Sequence, residues 1–375
     1  MKIGVDLLFL LPGIVGGTET YAVSLLEALG RVDRENEYAI FVNKESSDLA
    51  LPFQQNFERV MCPVRARSRV ARYLWEQAVL PFRARKHRLD LLHSLGYVQP
   101  LRLPCASIVT IHDLNFHNLG SWMPKRRRAV LRYFVTRSAK RADHIITVSE
   151  FSKRQIVEIL GIPESKVTVT YNAVKQRVSV PRPFEDVSKH YGVREPYILA
   201  LSSFSPHKNM ASLVKAFAML RQRGFQELQL VLAGHPPTDR RSLELLLHQQ
   251  RIQDAVTFTG YVPDDVLPAL YAHAEVFVFP SLYEGFGIPI LEAFLHGAPV
   301  ACSDAGAIPE VACDAACYFD PTSIEEMADA MSNILRDASL RRSLVDRGKE
   351  RVAQFTWEET ARKTVQVYRQ IVGGR

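Results

Sequence analysis

An alternation of two kinds of segment constrains this chain more than any single residue does. Short β-branched or apolar runs at residues 3–8, 38–42, 89–93, 106–111, 144–149 and 167–171 are separated by longer amphipathic stretches. That spacing predicts βαβ units and a parallel sheet. A stretch with prolines, charges and little helical pattern follows, and then a second series of runs at residues 197–202, 228–234, 256–260, 274–279 and 299–303. A chain of 375 residues has room for two cores. The predicted architecture is α/β, with two facing, doubly wound, Rossmann-like domains: residues 1–175, a linker at 176–195, and residues 196–355. Ligands of such sheets lie in the crevice at the carboxyl ends of the strands.

Several classes of protein are set aside by what the chain lacks. No uninterrupted apolar stretch is long enough to span a bilayer, and the segment Met1-Lys2-Ile3-Gly4-Val5-Asp6 reads as a strand rather than a signal peptide. The expected location is therefore cytoplasmic. Cys62, Cys105, Cys302, Cys313 and Cys317 are odd in number and mostly in apolar settings, so they read as reduced core residues. Their spacing predicts no metal site.

The net charge of +7 is unevenly spread. Residues 1–172 carry 25 Lys and Arg against 16 Asp and Glu, and the remainder carries 22 against 24. The excess gathers at residues 65–88, around Tyr73-Leu74-Trp75 and Ala78-Val79-Leu80, and at residues 125–141. A solvated helical face is the ordinary reading of such charge. The sharper one is a basic amphipathic surface that meets an anionic membrane, peripheral at its inner face. No recognition motif points to nucleic acid.

The chemistry concentrates at Pro280-Ser281-Leu282-Tyr283-Glu284-Gly285-Phe286-Gly287-Ile288-Pro289-Ile290-Leu291-Glu292-Ala293. It follows the apolar run 274–279, and Pro289 occupies a first helical position, so the pattern is strand, glycine loop, helix. Glu284 and Glu292 flank a loop in which Gly285 and Gly287 let backbone N–H groups approach a ligand at the positive end of a helix dipole. Phe286 and the apolar residues after it set both acids beside a packed junction. Such a place can hold a phosphate and a polyol together, although an isolated pair of this kind is more often a solvated loop glutamate and a first-turn glutamate.

Three further segments carry candidates. Gly16 and Gly17, before an expected N-cap at Thr18, let amides face an anion at the end of the first strand. His112 and Asp113 end another strand, where the histidine is either a satisfied core residue or a group at the domain rim, and Asp113 either orients it or caps the next turn. Lys208 precedes the helix expected at residues 210–220 and can place positive charge where a leaving group develops negative charge.

Glu-Gly-Phe-Gly-x-Pro followed by Glu-Ala resembles the E-x7-E signature of retaining glycosyltransferases of family 4, which have the GT-B fold, and the similarity runs from the first glycine loop to the end of the chain. The resemblance implies that Glu284 contacts hydroxyls of the donor sugar and Glu292 the ribose of its nucleotide. It also implies that Gly16 and Gly17 face the diphosphate, that His112 contacts the sugar near the transferred carbon, and that Lys208 meets the phosphates. Members of the family carry an Arg where Ser202 stands here, which leaves one cation fewer at that strand end. A final helix at residues 356–375 is expected, by the same resemblance, to return to the first domain.

The implied activity is retaining transfer of a hexose from a nucleotide diphosphate sugar to an acceptor hydroxyl, with no cofactor and no required metal. Similarity to mannosyltransferases of O-antigen and exopolysaccharide assembly makes GDP-mannose the expected donor, ahead of a UDP-sugar. A saccharide or lipid-linked saccharide of cell-envelope polysaccharide synthesis is the expected acceptor. A nucleotide-sugar epimerase of the same two-domain shape and a non-catalytic nucleotide-sugar-binding subunit are the alternatives.

Overall fold

Residues 1–49, 54–118, 123–175, 180–202, 205–234 and 240–374 are described in the computed structural model. The first sheet contains β1 (Lys2–Asp6), β2 (Glu37–Val42), β3 (Phe57–Met61), β4 (Leu91–Ser94), β5 (Ala106–Thr110), β6 (His144–Thr147) and β7 (Val167–Val169). Their order is β3-β2-β1-β4-β5-β6-β7, and every pairing is parallel. The helices of this unit are α1 (Gly17–Val32), α2 (Arg69–Ala78), α3 (Leu80–Lys86), α4 (Asn115–Asn118), α5 (Lys125–Arg141) and α6 (Glu150–Leu160).

The second unit repeats the plan with α7 (Phe184–Tyr191), β8 (Tyr197–Ser202), α8 (Met210–Gln222), β9 (Gln229–Gly234), α9 (Arg240–Gln250), β10 (Val256–Gly260) and α10 (Leu267–Ala272). It continues through β11 (Val276–Phe279), α11 (Ile288–Leu295), β12 (Val300–Ser303), α12 (Ile308–Ala312), β13 (Ala316–Phe319), α13 (Ile324–Arg336) and α14 (Ala338–Val352). Its strand order is β10-β9-β8-β11-β12-β13, again all parallel. Contacts divide the chain into residues 1–172 with 356–375, and residues 173–355. Helix α7 lies inside the stretch expected as a linker; Pro183 precedes it and Gly192, with φ 69°, ends it.

Two edge strands, β3 and β13, were not expected from the alternation. Both lie at a sheet margin and mix exposed with buried positions, so neither shows the continuous apolar run of a central strand. Helix starts follow local chemistry elsewhere. Ser149 caps α6 by accepting from the Ser152 amide at 3.0 Å, and Ser323 caps α13 by accepting from Glu326 at 3.2 Å. Thr18 does not cap α1: the helix begins two residues earlier than expected, with Gly16 at the N-cap (φ 59°) and no side-chain cap. All five cysteines are free, but Cys313 is exposed and Cys317 half-buried, so only Cys62, Cys105 and Cys302 are core residues.

The last helix, α15 (Trp357–Gly373), belongs to the first unit and packs along α1. Thr356 caps it through the Glu359 amide at 3.2 Å, and the Thr360 hydroxyl donates to the Tyr171 carbonyl. Deeper in, the fully buried Tyr368 hydroxyl lies 2.8 Å from His93 Nδ1, while His93 Nε2 lies 2.8 Å from the Thr110 hydroxyl. Burial holds the His93 imidazole far down, at about 3, so it is neutral and needs both partners.

Tyr368→Phe should therefore cost about 1–3 kcal/mol by leaving a buried ring nitrogen without its partner. A urea melt of the variant would show the lowered midpoint; an unchanged midpoint would remove α15 from the set of elements that this bond secures.

Candidate active site

In both sheets the strand order reverses at the centre. β1 lies between β2 and β4, and β8 between β9 and β11, so the loops that leave the carboxyl ends of β1 and β4, and of β8 and β11, part from one another. The candidate residues fall on those ends, and each unit presents its own set.

In the second unit the chain leaves β8 at Ser202 and, past residues 203 and 204, which lie outside the described set, forms a short 3-10 turn at Pro206–Lys208. Asn209 ends that turn in the left-handed region, at φ 60°, and its side-chain amide donates to the Pro280 carbonyl at 3.1 Å and the Pro321 carbonyl at 2.8 Å. The turn is thus fastened to the loop that follows β11. The Leu282 amide adds a bond of 2.8 Å to the His207 carbonyl.

These anchors bring Lys208 against Glu284, with Nζ 2.6 Å from Oε1. The two side chains are only 20% and 15% exposed, and the ammonium also lies 5.0 Å from the centre of the Phe279 ring. Burial opposes ionisation of Glu284, but the Lys208 charge, aided by His207, outweighs it and holds the carboxyl below its usual range. Burial likewise pushes the His207 imidazole down. Behind Glu284 the backbone is fixed as well, since its carbonyl accepts from the Ala307 amide at 3.0 Å. Gly306, at φ 66°, lets the two loops pass closely: a Cβ there would sit 2.6 Å from the Glu284 carbonyl oxygen.

Beyond Glu284, Gly285, Phe286 and Gly287 are buried, and Phe286 packs edge-on against Phe355 with ring centres 5.8 Å apart. Gly287, at φ 120°, is the N-cap of α11, and no side chain caps that end. Pro289 is the second helical residue, one later than expected, and Glu292 lies in the second turn rather than the first. The Tyr271 hydroxyl donates to Glu292 Oε2 at 3.1 Å. Burial raises the Glu292 carboxyl above its usual range, with Tyr271 opposing the rise. Tyr271 escaped the sequence reading because it sits in the apolar run of α10, where a tyrosine looks like packing. The Ser202 hydroxyl is buried and has no partner among the described residues, and its carbonyl is passed so closely by Gly234 (φ 112°) that a Cβ there would come within 2.5 Å.

In the first unit, Gly16 and Gly17 open α1 at the end of the β1 loop, and a Cβ at either position would meet nothing within 4 Å. The helix end is therefore open to an approaching group, and the uncapped amides carry the positive end of the α1 dipole. Glu19 turns back to accept from the Gly13 amide at 2.8 Å and shapes the loop.

His112 follows β5 and is buried. Its Nε2 lies 3.0 Å from the Leu95 carbonyl, and the Tyr21 and Tyr97 rings lie 4.8 and 5.3 Å from its centre. Burial lowers its pKa to about 4, so the ring is neutral near pH 7. A carbonyl only accepts, so Nε2 carries the proton and Nδ1 is left as an acceptor. Asp113 accepts from the Asn115 amide at 3.0 Å and so caps the α4 turn, the second of its two expected roles.

The chemistry available is anion binding at two helix ends, a fixed carboxylate–ammonium pair, a second buried carboxylate and a neutral imidazole. No group of three metal-ligating side chains occurs among the described residues.

Comparison with known proteins follows the same division. The family model for glycosyl transferases group 1 matches residues 183–351, and that for glycosyltransferase family 4 matches residues 15–177. The O-antigen chain mannosyltransferase B of Escherichia coli is 31% identical over 288 residues, covering 76% of this chain and 75% of that protein. Among solved structures, sucrose-phosphate synthase from Thermosynechococcus elongatus matches with a TM-score of 0.81 at 21% identity, over 100% of both chains. Anabaena HepE, solved with UDP and glucose, matches with a TM-score of 0.76 at 18% identity, over 99% of this chain and 100% of that one.

Lys208→Met should destabilise the protein by about 3 kcal/mol, because it leaves a buried carboxylate without its cation, and Glu284→Gln in the same chain should restore part of the loss. A carboxyl held below its unfolded value contributes stability above that value and loses it as the pH falls. The gap between wild type and Lys208→Met should accordingly shrink as the medium is acidified below about pH 4. Thermal melts across that range would show it; a gap independent of pH would separate the loss from the ion pair.

Proposed function

The chain belongs to the glycosyltransferases of family 4 and has their GT-B fold, and from that premise we propose that it transfers a hexose, with retention, from a nucleotide diphosphate sugar to an acceptor hydroxyl. The observation that carries this is the Lys208–Glu284 pair, past the carboxyl ends of the central strands β8 and β11 and beside the uncapped end of α11. Glu284 keeps its charge and reads sugar hydroxyls, Glu292 takes the ribose, and Lys208 with the helix-end amides meets the diphosphate.

The acceptor oxygen attacks the anomeric carbon on the face from which the phosphate departs. The departing phosphate oxygen receives the proton of the incoming hydroxyl. Lys208 and the amides of α11 meet the charge that develops on the diphosphate, in place of a metal. His112 stays neutral and offers Nδ1 to a sugar hydroxyl. The Ser202 hydroxyl, without a protein partner among the described residues, supplies a neutral donor where family members have an Arg. The leading donor is GDP-mannose, and likeness to the E. coli mannosyltransferase supports mannose as its sugar. The acceptor is a saccharide of envelope polysaccharide synthesis, carried on a lipid.

A surface on the first unit supports a lipid-linked acceptor. Helix α2 is turned inside out: Glu76 is 3% exposed, whereas Val70 and Leu74 are 72% and 66% exposed, and Phe82 on α3 is 67% exposed. Tyr73 stacks on Phe134 at 4.8 Å, so α2 and α5 are neighbours, and Val130 and Tyr133 on α5 are exposed too. Arg69 lies close enough to Arg127 that, after burial, it is the next cause lowering the Arg127 pKa. Apolar side chains among clustered cations suit an anionic lipid surface. No described helix is long and apolar enough to cross a membrane.

Two experiments test this. Glu284→Gln should lower transfer about a hundredfold or more with the fold retained, and the product anomer, read by NMR, should match that of the donor. Full turnover in a folded variant, or an inverted product, would sink the assignment, and conversion of donor without acceptor would identify an epimerase. In liposome flotation at low salt, the protein should rise with anionic vesicles and not with neutral ones, and Leu74→Ser with Phe82→Ser should abolish the rise. Equal recovery with both lipids counts against the membrane surface.

A further inference from the structure

Among the described residues Glu292 forms no ion pair, and the Tyr271 hydroxyl is the one hydrogen-bond donor to its carboxylate. Asp264, in the loop before α10, pushes its pKa up and Lys175 pulls it down, and these two are themselves paired at 3.4 Å. His296, one turn further along α11, stacks over the Tyr271 ring with centres 6.0 Å apart. The Tyr271 ring is fully buried and lies edge-on to Phe277 of β11 at 5.1 Å, so it has no freedom to swing away.

From this geometry we infer that Tyr271 is a positioning residue for the nucleotide's ribose: it pins one oxygen of Glu292 so that the other faces the ribose hydroxyls. This role rests on the assignment of Glu292 to the ribose. The phenol is suited to it because burial and the neighbouring carboxylate push its own ionisation well above the ordinary range, so it remains a donor. A donor at Oε2 leaves Oε1 as an acceptor of defined direction, and ribose presents two adjacent O–H donors to such an oxygen. Lysine in place of tyrosine would neutralise the carboxylate more strongly but would compete with the ribose for it. The hydroxyl holds the orientation without quenching the charge.

The resulting pH dependence has a definite sign. The Glu292 carboxyl titrates above its usual range, and losing the Tyr271 hydrogen bond removes an interaction that lowers it. Tyr271→Phe should thus protonate Glu292 at higher pH than wild type does, and ribose recognition should fade first in the variant as the medium is acidified.

The test compares, by calorimetry, the best-binding of GDP, UDP and ADP with its 2′,3′-dideoxy analogue, on wild type, Tyr271→Phe and Glu292→Gln. Wild type should prefer the ribonucleotide about tenfold or more, as expected for a hydrogen bond to a charged group. Tyr271→Phe should lose most of that preference on acidification at a higher pH than wild type does, while Glu292→Gln should lack it throughout. Equal weakening of both nucleotides in Tyr271→Phe, or a preference that survives the substitution unchanged, would overturn the role of Tyr271 while leaving Glu292 on the ribose. A wild type that binds both nucleotides equally would instead remove Glu292 from the ribose, and the role of Tyr271 with it. The ratio in wild type, followed over the same pH range, reports on Glu292 even if the phenylalanine variant is too unstable to titrate.

Discussion

Parallel strand pairing is the constraint from which the rest follows. Because all pairings in both sheets are parallel, the chain leaves each strand at the same edge of its sheet and must return by a crossover. Functional groups therefore collect on one edge, whatever their distance in sequence. Lys208 and Glu284 are 76 positions apart, yet they meet because Ile198 of β8 is registered against Val276 of β11. In the first unit the register of β4 on β5 places Leu95, just past one strand, within hydrogen-bonding distance of His112, just past the next.

Once the edge is set, the choice of partner decides what each buried acid can do. Glu284 and Glu292 belong to one loop and helix and both suffer desolvation, but their ionisation moves in opposite directions. An ammonium at 2.6 Å compensates burial with a full charge, and a phenol at 3.1 Å does so with only a dipole. The same burial that makes one carboxylate permanent makes the other conditional. Asn209 supplies the mechanical counterpart: a left-handed residue whose amide reaches two carbonyls holds the lysine's turn to the glutamate's loop.

Much of this was legible in the amino-acid sequence, and what was not has physical reasons. Central strands show because they are apolar throughout; β3 and β13 do not, because these edge strands keep charges and a tyrosine in water. Glu284, Glu292 and Lys208 stand out as charges beside apolar runs and glycines. Tyr271 does not, because its role arises from α10 packing near α11, a tertiary contact with no local pattern. Thr18 has the chemistry of a cap, but the backbone turned at Gly16 and started the helix earlier. The inside-out packing of α2 was half visible, as cations around apolar residues; which face turned inward depended on Glu76 and Arg72 being buried together at 3.3 Å.

The return of α15 to the first unit makes the second an insertion within the first. During synthesis residues 173–355 are whole while residues 1–172 still lack the helix that supplies the Tyr368 partner of His93. A growing chain can therefore finish its inserted unit early but can only seal the outer one once α15 has been made, so the unit begun first is the last to mature. Premature termination before residue 356 would leave α1 with an uncovered apolar flank, which makes the truncated product a substrate for quality control rather than a smaller working enzyme.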